Sequence, residues 1–227
     1  MNSGRTMGDY RLFQLISPSL PVGAFSYSQG LEWAIDAGWI QDEKGFVDWL
    51  DSIASDSLAH LELPILRRIH CAYAKRDDKD VRYWSDWLYA SRETLELRQE
   101  EQQRGRTMSK LLLQLGILEE GSVELELVSH NQLSGFAFAC FKWGISEDAM
   151  CRGYAWSWLE NTVMAGVKLV PLGQTSGQRI LINLSHTLEN AVTHSKNMKN
   201  DDIGNFAPAQ AIASSCHENQ YSRLFRS

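Results

Sequence analysis

Residues 46–58 read FVDWLDSIASDSL. Phe46, Trp49, Leu50, Ile53, Ala54 and Leu58 fall at i, i+3, i+4, i+7, i+8 and i+12, one continuous face of an α-helix. The same period recurs further along the chain. Met108, Leu111, Leu112 and Leu115 make one stripe. Ala155, Leu159, Thr162, Val163, Gly166 and Leu169 make a second, and Ile180, Leu181, Leu184, Leu188, Ala191 and Val192 a third. Alternation with period two appears only in residues 123–127 (VELEL), too short to carry a sheet and open to a helical reading. The fold class is therefore all-α, a single compact multi-helix domain of about eight to ten helices with short connections.

The helices are expected near 9–16, 25–38, 43–61, 64–76, 79–91, 93–116, 130–143, 147–169, 174–196 and 208–217. Pro64 suits the first turn of a helix, where a missing N–H is tolerated. Gly144 followed by Ser146, Glu147 and Asp148 reads as one helix stopping and the next being capped. Residues 1–9 read as a disordered N-terminus, 10–217 as the helical domain and 218–227 as a tail. Residues 195–207 read as a polar loop.

A chain of 227 residues buries enough apolar surface to need no staples. Hydrophobic residues are 44% and charged ones 22%, which places it among globular rather than disordered sequences. A net charge of -6 argues against a general nucleic-acid binder. No lysine-rich amphipathic helix suggests a membrane surface, no apolar run is long enough to span one, and no signal segment opens the chain. Cys71, Cys140, Cys151 and Cys216 are widely spaced, with no CxxC, so reduced thiols and a cytoplasmic location are expected.

The search for chemistry is mostly negative. There is no phosphate-binding GxxxxGK[ST], no HExxH and no GxSxG. Gly173-Gln-Thr-Ser-Gly177 has the look of a phosphate cradle but lacks a lysine and a preceding strand. It reads better as a turn, with Pro171 stopping one helix and Thr175 or Ser176 capping the next. The histidines, His60, His70, His130, His186, His194 and His217, form no ligand set at short spacing. Lone helical histidines are more often surface or hydrogen-bonded residues; Cys216 and His217 are the weak metal candidates. Residues 92–110 interleave both charges, with Glu100 and Arg104 as an i,i+4 pair, and read as a solvated helix face. Trp33, Trp49 and Trp158 share faces with core residues and read as packing.

Residues 12–32, LFQLISPSLPVGAFSYSQGLE, stand apart. Two prolines and two glycines rule out a continuous helix, and the apolar content rules out a linker. This is a shaped turn feeding a helix, its charge confined to Glu32. Ser26, Tyr27 and Glu32 are the side chains left to meet a partner, although Ser26 and Tyr27 suit internal hydrogen bonds equally well. At the other end Tyr221, Leu224 and Phe225 alternate with Arg223 and Arg226. Such a tail suits docking on a partner better than fraying, with packing on its own domain as the alternative.

Three separated blocks, residues 12–32, 168–179 (KLVPLGQTSGQR) and 220–227 (QYSRLFRS), resemble the urease accessory protein F (UreF) family in matching order. That resemblance implies an all-helical, non-enzymatic homodimer without a cofactor. It implies that the dimer joins the accessory protein UreD (also called UreH) and the GTPase UreG, and serves GTP-dependent nickel delivery to apo-urease. By position it assigns Tyr221, Arg223, Leu224, Phe225 and Arg226 to the UreD side. It assigns Ser26, Tyr27, Glu32, Lys168, Gln174, Gln178 and Arg179 to the UreG side, with Arg179 a candidate arginine finger. Two alternatives remain open: a nickel-binding metallochaperone, and a helical enzyme whose site gathers distant residues such as Glu32, His186 and Lys168.

Overall fold

A computed structural model describes residues 3–170 and 172–226. Its helices are α1 (Ser3–Ile16), α2 (Leu31–Asp36), α3 (Glu43–Ile53), α4 (Leu63–Lys75), α5 (Asp78–Ala90), α6 (Leu95–Gln114), α7 (Val123–Ser129), α8 (Gln132–Lys142), α9 (Glu147–Leu169), α10 (Gln174–Lys196) and α11 (Pro208–His217). Short 3₁₀ turns occupy Ala24–Ser26 and Asn200–Asp202. The described residues contain no strand, so the domain is all-α.

Local chemistry sets the boundaries. Asp42, Asp77, Thr94, Ser122, Asn131 and Ser146 each accept a backbone N–H three residues ahead and so start α3, α5, α6, α7, α8 and α9. Gly144 takes a left-handed φ of 64° between α8 and α9, as its sequence context predicts. The alternating VELEL stretch lies in α7, where the Ser122 cap decides in favour of helix.

α3 and α4 are joined without a break by a π-helical segment, Ala54–Glu62. The expected break between residues 61 and 64 is absent, and Pro64 accounts for what replaces it. Pro64 has no N–H to give the His60 carbonyl, and its ring crowds that carbonyl, so the helix widens rather than ends. The His60 carbonyl accepts from the Gly204 N–H at 3.2 Å instead, and the Asp56 carbonyl from Phe206 at 3.3 Å. The connection after α10 is thereby stitched to the wide turns. With α3 through α4 counted as one rod, the described residues hold ten helices.

The core centres on α8, whose residues Gln132 through Cys140 are all buried, as expected of a helix surrounded on every side. α4, α6 and α7 pack around it, and α9 packs against α1, α4 and α10. Every member of the 46–58 and 180–192 stripes is buried. Gly166 of α9 meets the Phe46 ring so closely that an added Cβ would stand 2.1 Å from its Cζ. Arg67 of α4, itself buried, donates to Ser195 Oγ and the Val192 carbonyl at 3.0 Å, to Asp148 at 3.0 Å and to Glu147, fastening α4 to α9 and α10. Cys140 and Cys151 are buried free thiols, and burial pushes Cys151 up to about 12.

Several expectations are corrected. α1 begins at Ser3, so residues 3–9 are helical rather than disordered; Met1 and Asn2 lie outside the described residues. The helix expected over 25–38 shrinks to α2, because Gly30 takes a left-handed φ of 86° and breaks the chain direction. Leu115 is exposed beyond the end of the α6 stripe. α10 starts from Gly173 with no side-chain cap, so neither Thr175 nor Ser176 plays that part. Pro171, expected to stop α9, lies outside the described residues. No helix among the described residues is long and apolar enough to cross a membrane.

Candidate functional site

The N-terminal turn, the start of α6 and the C-terminal tail converge on one buried carboxylate. Glu32 opens α2 and is 6% exposed. Its Oε1 accepts the Leu224 N–H at 2.7 Å and its Oε2 the Phe225 N–H at 2.9 Å. The same Oε2 lies 3.3 Å from His217 Nε2. His217, fully buried, turns Nδ1 to Glu96 Oε2 at 2.7 Å, and Glu96 Oε1 accepts from Arg223 at 2.7 Å. Arg226 N–H donates to the Ser26 carbonyl at 2.8 Å.

Glycine makes the convergence possible. A Cβ on Gly30 would stand 2.7 Å from the Ser214 nitrogen, so α11 reaches α2 only because position 30 has none. Glu218 then accepts the Leu95 and Glu96 N–H groups at 2.8 and 3.2 Å, and Ser214 bonds the Thr94 hydroxyl at 2.8 Å. The end of α11 and the residue after it thus cap the start of α6.

The Tyr27 phenol lies beside this seam. Burial raises its pKa and Glu100 raises it further, while a hydrogen bond with Arg226 opposes both. Behind it, Arg92 (3% exposed) donates through Nε and Nη2 to Glu101 and through Nη1 to Glu62 at 2.8 Å. Arg104 pairs with Glu100 at 2.7 Å, and the Gln29 amide donates to Glu100 at 3.1 Å. Burial works against the Arg92 charge, but Glu62 and Glu101 outweigh it and raise its pKa; burial raises that of Glu101 despite Arg92. Two cavities of about 30 Å³ each, lined in common by Arg104, Gln132, Tyr154 and Asn161, separate the turn from α9.

The reading of residues 92–110 as a solvated face is therefore overturned for Arg92, Glu96, Glu100 and Glu101, which are buried. The Glu100–Arg104 pair forms as the spacing predicts. A signal for the rest was available. Leu97, Glu101, Met108 and Leu112 lie on one helical face, which puts a charge inside an apolar stripe. Arg92, Glu62 and Glu96 come from different elements and share no local pattern.

Of the residues expected to face a partner, Glu32 is buried and committed to the tail. Ser26 and Tyr27 are half-buried. In the tail, Phe225 is buried, Arg223 and Arg226 bond inward, and Tyr221 and Leu224 project into solvent. Lys168, Gln174, Gln178 and Arg179 are exposed around the α9–α10 junction, with Arg179 held 3.6 Å from Glu43. The turn lies over Tyr154 to Thr162 of α9, and Lys168 sits about 9 Å further along the same helix. The 12–32 and 168–179 blocks, expected to build one surface, thus lie along one helix about 9 Å apart.

The weak metal candidates separate. His217 has both ring nitrogens occupied by carboxylates, while Cys216 is half-buried beside it. No group of three or more His, Cys, Asp or Glu able to hold a metal occurs among the described residues. Glu32, His186 and Lys168 do not assemble: Glu32 is sealed under the tail, and His186 lies about 18 Å along α10 from the end nearest Lys168.

A family model for UreF matches residues 40–185, from the approach to α3 into α10. The chain belongs to the UreF family. A protein of Alcanivorax borkumensis named "Urease accessory protein UreF" is 47% identical over 224 residues, covering 96% of this chain and 97% of the relative. One of the same name from Pseudomonas putida W619 is 48% identical over 220 residues, covering 96% of both chains. A third, from Alkalilimnicola ehrlichii, is 43% identical over 218 residues. The turn before α3 and the tail after α11 of this UreF chain fall outside the family-model match.

Proposed function

We infer that the chain is a urease maturation accessory protein, a non-enzymatic cytoplasmic scaffold. It works as a homodimer that holds UreD (UreH) and the GTPase UreG together and couples the nucleotide state of UreG to nickel insertion into apo-urease. Family membership and the names of the relatives support the maturation role. One observation supports the coupling: Glu32 and the Ser26 carbonyl bind the backbone of residues 224–226, so tail and N-terminal turn are joined as one unit. A partner gripping Tyr221 and Leu224 would load that unit and reach Tyr27 through Arg226. Coupling of this kind requires only that UreG bind the scaffold differently in its two nucleotide states. Arg179, Lys168, Gln174 and Gln178 offer the polar, exposed contact surface.

Co-purification with UreD is the test. Tyr221→Ala and Leu224→Asp both lie on exposed side chains and should leave folding intact. They are expected to lose most UreD capture, and UreG with it; capture at full strength would remove the tail from the interface. In the assembled complex, Lys168→Ala and Arg179→Ala are expected to change GTP turnover or nucleotide affinity of UreG. If neither quantity moves, the regulatory assignment fails.

A further inference from the structure

The π-helical segment presents a pair of histidines that the docking reading does not use. His60 lies in that segment and His194 in the last turn of α10, with ring centres 4.7 Å apart at a tilt of 52°. His194 is exposed, and His60 is partly so. They border an open groove of about 420 Å³, lined also by Asp51, Thr187 and Asn190.

His60 is prepared as a ligand. Its Nδ1 faces the Ser55 carbonyl at 2.8 Å. A carbonyl only accepts, so Nδ1 carries the proton and the neutral ring keeps its lone pair on Nε2. Fixing one ring nitrogen on a backbone carbonyl is the usual way a metal-binding imidazole is oriented. The Phe206 ring packs edge-on at 5.5 Å and holds the imidazole from another side. Pro64 and the stitched 204–206 connection fix the backbone that carries it.

The spacing also suits ligation. Two imidazoles that share one ion at ordinary metal–nitrogen distances place their ring centres roughly 4.5–5.2 Å apart. We propose that His60 and His194 form an open surface site for a late first-row divalent metal ion, of the nickel, zinc and copper class that imidazole favours. Among the described residues no third His, Cys, Asp or Glu completes the set. Water fills the remaining positions, and the ion is held for exchange rather than stored. The site stands on this geometry and does not depend on the partner assignments.

The test is calorimetry and histidine-resolved NMR on the full chain with nickel chloride, zinc chloride and, as an oxygen-preferring control, magnesium chloride. Nickel and zinc are expected to bind saturably and magnesium not. Nickel should broaden the His60 and His194 ring signals together, ahead of His186 and His130. His194→Ala removes one ligand from an exposed position, and His60→Phe keeps a ring against Phe206. Each is expected to weaken nickel binding about tenfold or more, with the circular dichroism spectrum unchanged and Cys216→Ser without effect. The proposal is overturned if the wild type shows no saturable binding, if both histidine variants bind as the wild type does, or if Cys216→Ser abolishes binding instead.

Discussion

Glu32 is a buried carboxylate with little on its own helix to satisfy it. Its oxygens are met by two backbone N–H groups and an imidazole brought from the far end of the chain. Removing it takes the partner from the buried Phe225 N–H and from His217, and leaving a buried donor unmet is costlier than losing one ordinary hydrogen bond. Glu32→Ala is expected to lower stability by about 3 kcal/mol or more, read by chemical denaturation. The same variant should free the tail. Arg223 and Arg226 then become good trypsin sites, so limited digestion should trim the variant at the C-terminus well before the wild type. Equal rates of trimming would mean that Glu32 does not hold the tail. Sequence marked this residue as the first charge after a long uncharged stretch. It could not show that the charge faces inward, because its partners lie more than 180 positions away.

Among the elements, α6 departs furthest from its sequence reading. Counting charges made residues 92–110 a solvated face, whereas its first turns are buried against the rod, the turn and the tail. Arg92 precedes the helix and neutralises Glu62 and Glu101 in the interior. Arg92→Leu should cost about 3–5 kcal/mol, because it leaves carboxylates buried without their cation. Adding Glu101→Leu should recover part of that loss, and a double-mutant cycle measures how much. If the double variant lost as much as the two single variants together, the pair would not be coupled. Elements governed by local chemistry were legible by contrast. The bounds expected for α9 and α10 agree with those found, and the capping residue of α9 was readable. The wide turns before Pro64 were not, because the His60 and Asp56 carbonyls there accept from Gly204 and Phe206, distant in sequence.

For the whole molecule, fold class followed from helical period alone, while the candidate site required long-range pairings that no period encodes. The same long-range pairings set the response to acid. Asp148, where α9 starts, is held below the ordinary carboxylate range first by its hydrogen bond to Arg67 and then by Lys196. A depressed folded-state pKa contributes stability above the unfolded value and loses it as pH falls through the folded one. Asp148→Asn should therefore show a shallower loss of stability than the wild type below about pH 4. Because Asp148 is partly exposed, solvent screening keeps the difference small. Identical acid profiles would remove Asp148 from the account. The bonds from Glu32 to residues 224 and 225 have a further consequence, for the order in which the protein is made. A ribosome delivers the turn early and the donors of residues 224 and 225 only 192 and 193 positions later. Until they emerge Glu32 has neither backbone donor, and the seam between α2 and α6 stays open while the helices between them are already made.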